Sequence, residues 1–227
     1  MKKILLGITL FASLTFSSCS SDDKKTVSTG ISTGNYWPMA INNSWNFFGH
    51  GATSEIKIVS NKVVEGKTYY EVKDNANTDY DIKSWLAKDG AVYYQKTDET
   101  TVNENGTLIT LQGYEIPIFR DDLEMNDSWN GTVKQKISYL INGKTTRVTG
   151  KLEYKGTILA TNSTEIINDV TYTDVIKMSM KMTVTIQNQT SEAWVEYWFA
   201  KDIGPIKTYE VGANIGIDRE LVTYNLN

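Results

Sequence analysis

The sequence reads IKMSMKMTVTI from Ile176 to Ile186, with an apolar residue at every second position. Successive side chains of a β-strand point to opposite faces, so this alternation predicts a strand with one buried and one solvated face. A second run with the same period extends from Val148 to Ile158 and has glycines at two in-phase positions, which indicate bends or bulges. No long apolar pattern at helical spacing occurs after residue 18. The sequence therefore predicts an antiparallel all-β fold.

Turn signals separate the apolar runs. Four of them place an acidic residue or an asparagine directly before glycine, a pairing that suits the positive φ angles of tight hairpin turns. They are Glu65-Gly66, Asp89-Gly90, Asn105-Gly106 and Asn142-Gly143. We predict a β-hairpin at each of these positions.

An internal repeat gives the next level of organisation. Three short motifs occur twice in the same order, which favours duplication over chance. The matched segments are 42–46 with 126–130, 66–72 with 170–175, and 85–90 with 198–204. Two related β-meander units, at about 36–97 and 114–210, are expected to pack together because neither buries its apolar face alone. The predicted architecture is a curved antiparallel sheet, or an open barrel or sandwich, in one domain over residues 36–227.

The N-terminus has the three parts of a secretory signal peptide in residues 1–18. Lys2 and Lys3 are followed by a mostly apolar stretch, Ile4 to Phe16, and then by two serines. The apolar stretch is shorter than the roughly 20 residues that a membrane-spanning helix needs. We therefore interpret it as an export signal rather than as an anchor.

The segment from Phe16 to Cys19 resembles the lipobox of bacterial lipoproteins, in which small residues precede a cysteine. The resemblance implies that Cys19 is diacylated, becomes the new N-terminus and is acylated again on its amine. The alternative is an ordinary signal peptide that contains a cysteine. Several acyl chains hold a protein durably on a membrane, whereas one chain binds marginally. Membrane attachment through lipid at Cys19 is the partner prediction that follows.

The stretch Ser20-Ser21-Asp22-Asp23 resembles the surface-export signal of lipoproteins in some Gram-negative lineages. It implies an outer-membrane location with display at the cell surface, and its alternative is a solvated tether. Residues 19–35 contain few large apolar groups and are interpreted as the lipidated cysteine and a flexible tether.

The opening from Tyr36 to Trp45 and the segment from Trp198 to Gly204 resemble poorly characterised bacterial lipoproteins with a Tyr-x-Pro…Trp opening and a Trp-Phe-Ala-x-x-x-Gly segment. The resemblance covers most of the chain after the tether and implies a curved antiparallel sheet. It brings no settled activity with it.

Composition narrows the range of functions. The 227 residues carry a net charge of −4, and loss of Lys2 and Lys3 with the signal leaves 21 basic against 27 acidic residues. An acidic chain has no electrostatic footprint for nucleic acid, so DNA and RNA are not expected partners. His50 is the only histidine and Cys19 the only cysteine, which leaves too few groups for nucleophilic triads or ordinary zinc sites. We expect a non-enzymatic protein without a cofactor or metal; a pair of carboxylates remains the one catalytic alternative.

The sequence leaves two kinds of ligand site as alternatives. Trp37 and Trp194 have no counterpart in the other repeat, and they are therefore the tryptophans expected at the surface, where they could stack on a glycan. The four tryptophans that recur between the units are expected in the core. They are Trp45, Trp85, Trp129 and Trp198.

The methionine row of the opening stretch provides the other site. Met178, Met180 and Met182 could line a cavity for a lipid or hydrophobic ligand, because methionine adapts to irregular shapes. Core packing is the alternative interpretation. A carrier requires an apolar cavity, whereas a surface module requires a filled core and an exposed aromatic patch. The oligomeric state is not determined by the sequence.

Overall fold

The computed structural model describes residues 30–75, 82–212 and 215–227. These ranges contain fourteen β-strands and no helix, so the predicted all-β class is confirmed. No helix of the described chain is long and apolar enough to cross a bilayer. The strands are β1 (Ser44–Gly49), β2 (Ala52–Val64), β3 (Lys67–Asp74), β4 (Ser84–Asp89), β5 (Val92–Thr97), β6 (Thr100–Glu104), β7 (Thr107–Leu111), β8 (Glu115–Arg120), β9 (Ser128–Ile141), β10 (Lys144–Ile167), β11 (Val170–Ile186), β12 (Gln189–Ala200), β13 (Gly204–Gly212) and β14 (Ile215–Asn225).

All fourteen strands belong to one antiparallel sheet that is not closed, with β6 and β8 at its two edges. The strand order is β6-β7-β9-β10-β11-β12-β13-β14-β1-β2-β3-β4-β5-β8. The four predicted hairpins are confirmed as the β2–β3, β4–β5, β6–β7 and β9–β10 connections. Each contains a glycine at positive φ, as the twist of a tight hairpin requires.

The sheet curls so that strands far apart in its order meet. Phe119 of β8 stacks on Phe199 of β12 with ring centroids 4.6 Å apart. The Trp129 indole of β9 donates a hydrogen bond of 2.9 Å to the Pro117 carbonyl of β8. The concave face therefore encloses a core in which the large side chains are almost completely buried. Its largest members include Trp45, Phe47, Tyr93, Phe119 and Phe199.

The segment before β1 fills part of this concave face. The Tyr36 backbone N–H donates to the Tyr93 hydroxyl at 2.9 Å, and the Tyr36 ring meets Phe119 edge-on at 6.0 Å. Residues 30–35 also belong to the folded body, although the sequence assigned them to the tether. Ser32 and Thr33 bond to Asp121, whose buried carboxylate needs these partners. The ordered chain therefore starts before Tyr36.

The two Asn-(Asn/Asp)-Ser-Trp segments form the same corner. The Asn42 N–H donates to the Ile58 carbonyl at 2.9 Å, and the Asn126 N–H donates to the Ile158 carbonyl at 2.8 Å. Both asparagines have left-handed backbones, with φ of 73° and 75°, a conformation that asparagine tolerates better than most residues. The duplication of the whole unit stays a prediction, but this matched local geometry agrees with it.

The recurring tryptophans do not all lie in one core. Trp45 and Trp129 belong to the concave core, whereas Trp85 lies in a small cluster on the opposite face with Tyr69. Trp198 is only half-buried. The Lys62 ammonium covers the Trp85 ring at 3.6 Å and the Lys177 ammonium covers the Trp198 ring at 3.7 Å, so cation–π attraction adds to the packing of both rings.

Candidate functional site

The methionine row lies mainly within the protein. Met178 and Met180 are buried in the concave core, and Met182 is partly buried against it. None of the three lines the cleft between the β2–β3 and β4–β5 turns or the cleft formed by β7, β9 and β10. Their alternate spacing on β11 turns them toward the core, where Met178 and Met180 are almost completely buried.

Trp37 is 5% exposed, so its expected surface position is wrong. Its ring packs against Tyr197 and Phe199, with centroid distances of 6.3 Å and 5.4 Å. The segment before β1 carries it onto the concave face, an outcome that depends on the curl of the sheet. Its indole nitrogen is buried without a hydrogen-bond partner among the described residues. Such a donor carries a free-energy penalty of about 1–3 kcal/mol.

A cleft of about 640 Å³ lies beside this tryptophan, where the β2–β3 and β4–β5 turns approach the segment before β1. A cleft of this volume falls within the range of small-molecule sites in proteins. Its apolar wall contains Trp37, Met39 and Tyr70, and its rim contains polar side chains of both turns. The cleft is lined by Asn35, Trp37, Met39, Glu65, Gly66, Lys67, Thr68, Tyr70, Lys88 and Asp89.

The two lysines of the cleft are engaged by groups of the protein itself. Lys67 forms an ion pair with Glu115 at 2.7 Å, and its ammonium lies 3.5 Å from the centroid of the Tyr94 ring. Lys88 lies 3.2 Å from the buried Asp121 carboxylate and also donates to the segment before β1. Their positive charge is therefore largely neutralised, and the cleft is not built for an anion.

The two carboxylates at the rim of the cleft, unlike its two lysines, have no oppositely charged partner within the described part of the chain. Glu65 and Asp89 are exposed at neighbouring turns, and neither forms an ion pair with any described residue. A carboxylate is an acceptor only, while the Asn35 side chain can both donate and accept. The cleft thus combines hydrogen-bond acceptors, an amide and an apolar wall.

A second group of charges lies on the concave face but is internally satisfied. Arg219 is buried and donates to both oxygens of Asp74, to Glu210 at 2.6 Å and to Thr208 at 3.1 Å. Burial opposes the charge of the guanidinium, but the two carboxylates outweigh it and raise the pKa of Arg219. Since its donors are used within the fold, this cluster holds β3, β13 and β14 together rather than offering a binding site.

Trp194, the other predicted surface tryptophan, is half-buried on β12. Its ring meets Tyr209 of β13 edge-on with centroids 5.6 Å apart, and Tyr209 lies over Gly216 of β14. This pair presents an aromatic surface on the face opposite the core. No group of three or more His, Cys, Asp and Glu side chains converges as a metal site within the described ranges.

No protein-family model and no curated protein matches the sequence. Two crystal structures are similar to the chain in shape. One is a candidate lipoprotein from Parabacteroides distasonis, with a TM-score of 0.47, 10% identity, and coverage of 86% of this chain and 100% of that one. The other is a candidate exported protein with a YmcC-like fold from Bacteroides fragilis, with a TM-score of 0.43, 9% identity, and coverage of 84% and 98%.

Cys19 lies outside the described residues, so its lipidation stays a prediction. Sequence reasoning found the rim residues of the cleft only as turn formers: Glu65 and Asp89 were identified for their glycine neighbours. The order of the strands was the signal in the sequence that could have brought these two turns together. In a meander, every second turn falls at the same end of the sheet, and this places these two turns side by side.

Proposed function

We propose that this chain is an exported, lipid-anchored protein that binds a ligand without catalysis, attached to the outer membrane through Cys19 and displayed at the cell surface. Support for the anchor comes from the lipobox-like segment ending at Cys19 and from the serine and acidic residues that follow it. Two or three acyl chains on one cysteine provide durable attachment.

The ligand site that we propose is the cleft beside Trp37. The observation that carries this proposal is the combination of its volume with the unpaired carboxylates of Glu65 and Asp89 on one rim. A ligand must supply donors to these acceptors and must also tolerate the apolar wall formed by Met39 and Tyr70.

The best match is a neutral, polyhydroxylated ligand such as a glycan unit. Hydroxyl groups both donate and accept, so they can serve the carboxylates and the Asn35 amide at once. The C–H face of a sugar suits the ring of Tyr70, because aromatic side chains offer apolar contact at low entropic cost. An anionic ligand is disfavoured because Lys67 and Lys88 already have carboxylate partners.

The test is binding of the purified full chain to an array of defined oligosaccharides, with titration of each hit. We expect Asp89→Asn and Glu65→Gln to weaken binding about tenfold each, since a charge-assisted hydrogen bond contributes about 1.5–3 kcal/mol. Asp169→Asn, an exposed carboxylate in the β10–β11 turn outside the cleft, is the matched control and should leave binding unchanged.

Salt dependence separates a hydroxyl ligand from a cationic one. Binding of a neutral glycan should change little between low and high ionic strength, because it involves no charge pairing to be screened. A ligand lost at high salt would show that the two carboxylates select a cation, and the glycan proposal would then be wrong.

The pair of Trp194 and Tyr209 is a second candidate glycan site, favoured by its half-exposed aromatic surface. Trp194→Ala distinguishes the sites. Loss of oligosaccharide binding in Trp194→Ala, with binding retained in Asp89→Asn, would place the ligand on the aromatic pair instead of in the cleft.

A further inference from the structure

Because neighbouring strands run in opposite directions, the turns of the sheet lie at two ends. The segment that leads back to the N-terminal tether lies at one of these ends. The turns after β2, β4, β10 and β12 lie at the same end, together with the start of β1 and the end of β14. We call this the upper end. The opposite, lower end contains the β1–β2, β9–β10 and β11–β12 turns.

Residues 32–35 are fixed to the upper end by hydrogen bonds. Thr33 donates from its backbone N–H to the Asp121 carboxylate at 3.1 Å, and its hydroxyl donates to the Asp121 carbonyl at 2.6 Å. The Asp202 N–H in the β12–β13 turn donates to the Asn35 carbonyl at 2.7 Å. Asp121 follows β8, whose last residue pairs with the start of β5 at this same end.

Cys19 therefore connects to the upper end by a short stretch of chain. Ten residues lie between Cys19 and Gly30, and a fully extended chain covers about 3.3–3.6 Å for each of the eleven steps, or about 40 Å in total. An anchor in the membrane consequently keeps the upper end within this distance of the lipid surface.

Several exposed apolar side chains lie around the upper end, while others, such as Phe48 and Ile141, lie at the lower end. The tip of the β10–β11 hairpin bends toward β14, where the Asn168 amide donates to the Leu221 carbonyl at 2.8 Å. The Asn227 amide in turn donates to the Ile41 carbonyl at 2.9 Å, which brings the corner before β1 to the end of β14. Five side chains around these contacts, 41% to 71% exposed, form what we call the apolar rim: Ile41, Ile166, Val170, Val222 and Tyr224.

We propose that the upper end docks on a zwitterionic lipid surface through the apolar rim, an inference that rests on the proposed anchor at Cys19. Apolar and tyrosine side chains favour the boundary between headgroups and acyl chains. The apolar rim carries no cationic residue, and the chain without its signal has 21 basic against 27 acidic residues, so attraction to anionic headgroups contributes little.

This orientation determines which way the ligand cleft opens relative to the membrane. Glu65 and Asp89 lie in upper-end turns, so the cleft opens at the end that faces the membrane. A ligand reaching the cleft would come from the layer next to the membrane, where a membrane-linked glycan is held at high local concentration.

The experiment uses the full chain, exported, acylated and purified in its lipidated form, and reconstituted on phosphatidylcholine–phosphatidylethanolamine vesicles that contain a lipid-borne quencher. Val170→Cys supplies a labelling site in the rim, since the Cys19 thiol is blocked by acylation. Asn188→Cys, in the exposed and polar β11–β12 turn at the lower end, is the matched control. We expect quenching of the rim label to be about threefold stronger or more, because interfacial apolar groups reach about 5–10 Å into the headgroup region.

The outcomes separate the two proposals. Equal quenching at both sites on a chain whose mass shows acylated Cys19 overturns the docking and leaves the anchor intact. A chain without acyl mass overturns both. Replacement of Ile41 and Ile166 by serine in the Val170→Cys chain should reduce the quenching toward the lower-end value, and unchanged quenching there would exclude the rim as the contact.

Discussion

Asp98 illustrates how a single carboxylate is held in its charged form at the surface of the sheet. Burial opposes its ionisation, but hydrogen bonds from the Trp85 indole and the Lys62 ammonium outweigh this and lower its pKa below the ordinary value of 3.8. The Lys62 ammonium also covers the Trp85 ring. The three side chains therefore form one small polar and aromatic layer on the outer face.

A pH dependence follows from this lowered pKa. A carboxyl group that is more acidic in the folded than in the unfolded state stabilises the fold above its unfolded pKa, and this contribution disappears as the pH falls through the folded value. We expect thermal unfolding of the natural chain to lose an increment of stability as the pH falls below about 4, and the contribution should be below about 1 kcal/mol because the pair is partly exposed. Asp98→Asn should lack this increment. Identical pH profiles for the two chains would contradict the assignment.

Gly204 shows a second constraint at the scale of one residue. Its φ is +114°, and an added Cβ would lie 2.6 Å from the Trp45 indole nitrogen, which donates to the Ile203 carbonyl at 2.7 Å. Glycine is needed both for the backbone conformation and for the approach of the indole.

We expect Gly204→Ala to lower the free energy of unfolding by about 3 kcal/mol, because strain and steric overlap add at this position. Chemical denaturation measures this loss. Gly143→Ala is the control, since Gly143 also has positive φ but open space around it, and its cost should be about 1 kcal/mol. Equal losses would show that the contact with Trp45 contributes nothing.

At the scale of elements, the segment before β1 is held by one buried carboxylate. The Asp121 side chain is 0% exposed and joins Ser32, Thr33 and Lys88. Because a buried charge without partners is costly, this residue and the segment stabilise each other.

Asp121→Ala should release residues 30–35 and lower the free energy of unfolding by about 3 kcal/mol, since the charge of Lys88 loses its buried partner. Limited proteolysis of the folded chain should cleave the segment faster, as judged by mass spectrometry. Asp218→Asn is the control, because its contact with Lys207 is longer, at 3.4 Å, and more exposed. Unchanged cleavage in Asp121→Ala would mean that the segment is held by its aromatic residues alone.

The elements also show how far local sequence can be interpreted. The hairpins at Asn105-Gly106 and Asn142-Gly143 depend on the backbone preferences of two adjacent residues, and both were predicted. The corner at Asn42 was identified as a repeat of the corner at Asn126, and both have the same hydrogen bonds. The φ preference of a residue depends on its own type and on its immediate neighbours, which is why these features could be predicted from the sequence.

At the scale of the whole molecule, the curl of the sheet brings the edge strand β8 close to the first part of β9, which pairs only with β10. β8 is an edge strand, and the Trp129 indole of β9 donates a hydrogen bond to its Pro117 carbonyl. Gly156 makes room for this indole, because an added Cβ would lie 2.1 Å from the Trp129 ring.

Trp129→Phe should lower the free energy of unfolding by about 1–3 kcal/mol, because the buried Pro117 carbonyl loses its partner. Hydrogen exchange of β8 amides should also become faster relative to β10. Trp198→Phe, which loses a bond to the half-buried Glu196, is the control and should cost less. A larger loss in Trp198→Phe than in Trp129→Phe would show that the contact between β8 and β9 is not important for the curl.

The candidate site belongs to this scale, and the sequence predicted it least well. Trp37 was expected at the surface because it had no counterpart in the second repeat, yet the segment that carries it lies on the concave face. For Met178 and Met180 the sequence left a ligand cavity and core packing open, and both residues lie in the core. The surroundings of all three residues are set by segments that are distant in the chain.

The sequence by itself determined the all-β class, the alternation that turns Met178 inward, the glycine turns and the matched corners at Asn42 and Asn126, because each depends on neighbours within a few residues. Only the tertiary structure decided that the sheet curls until Phe119 meets Phe199 and that Trp37 is covered. It also decided that Glu65 and Asp89 share one cleft. These outcomes depend on the accumulated twist of fourteen strands and on contacts between residues far apart in the chain, which no local pattern encodes.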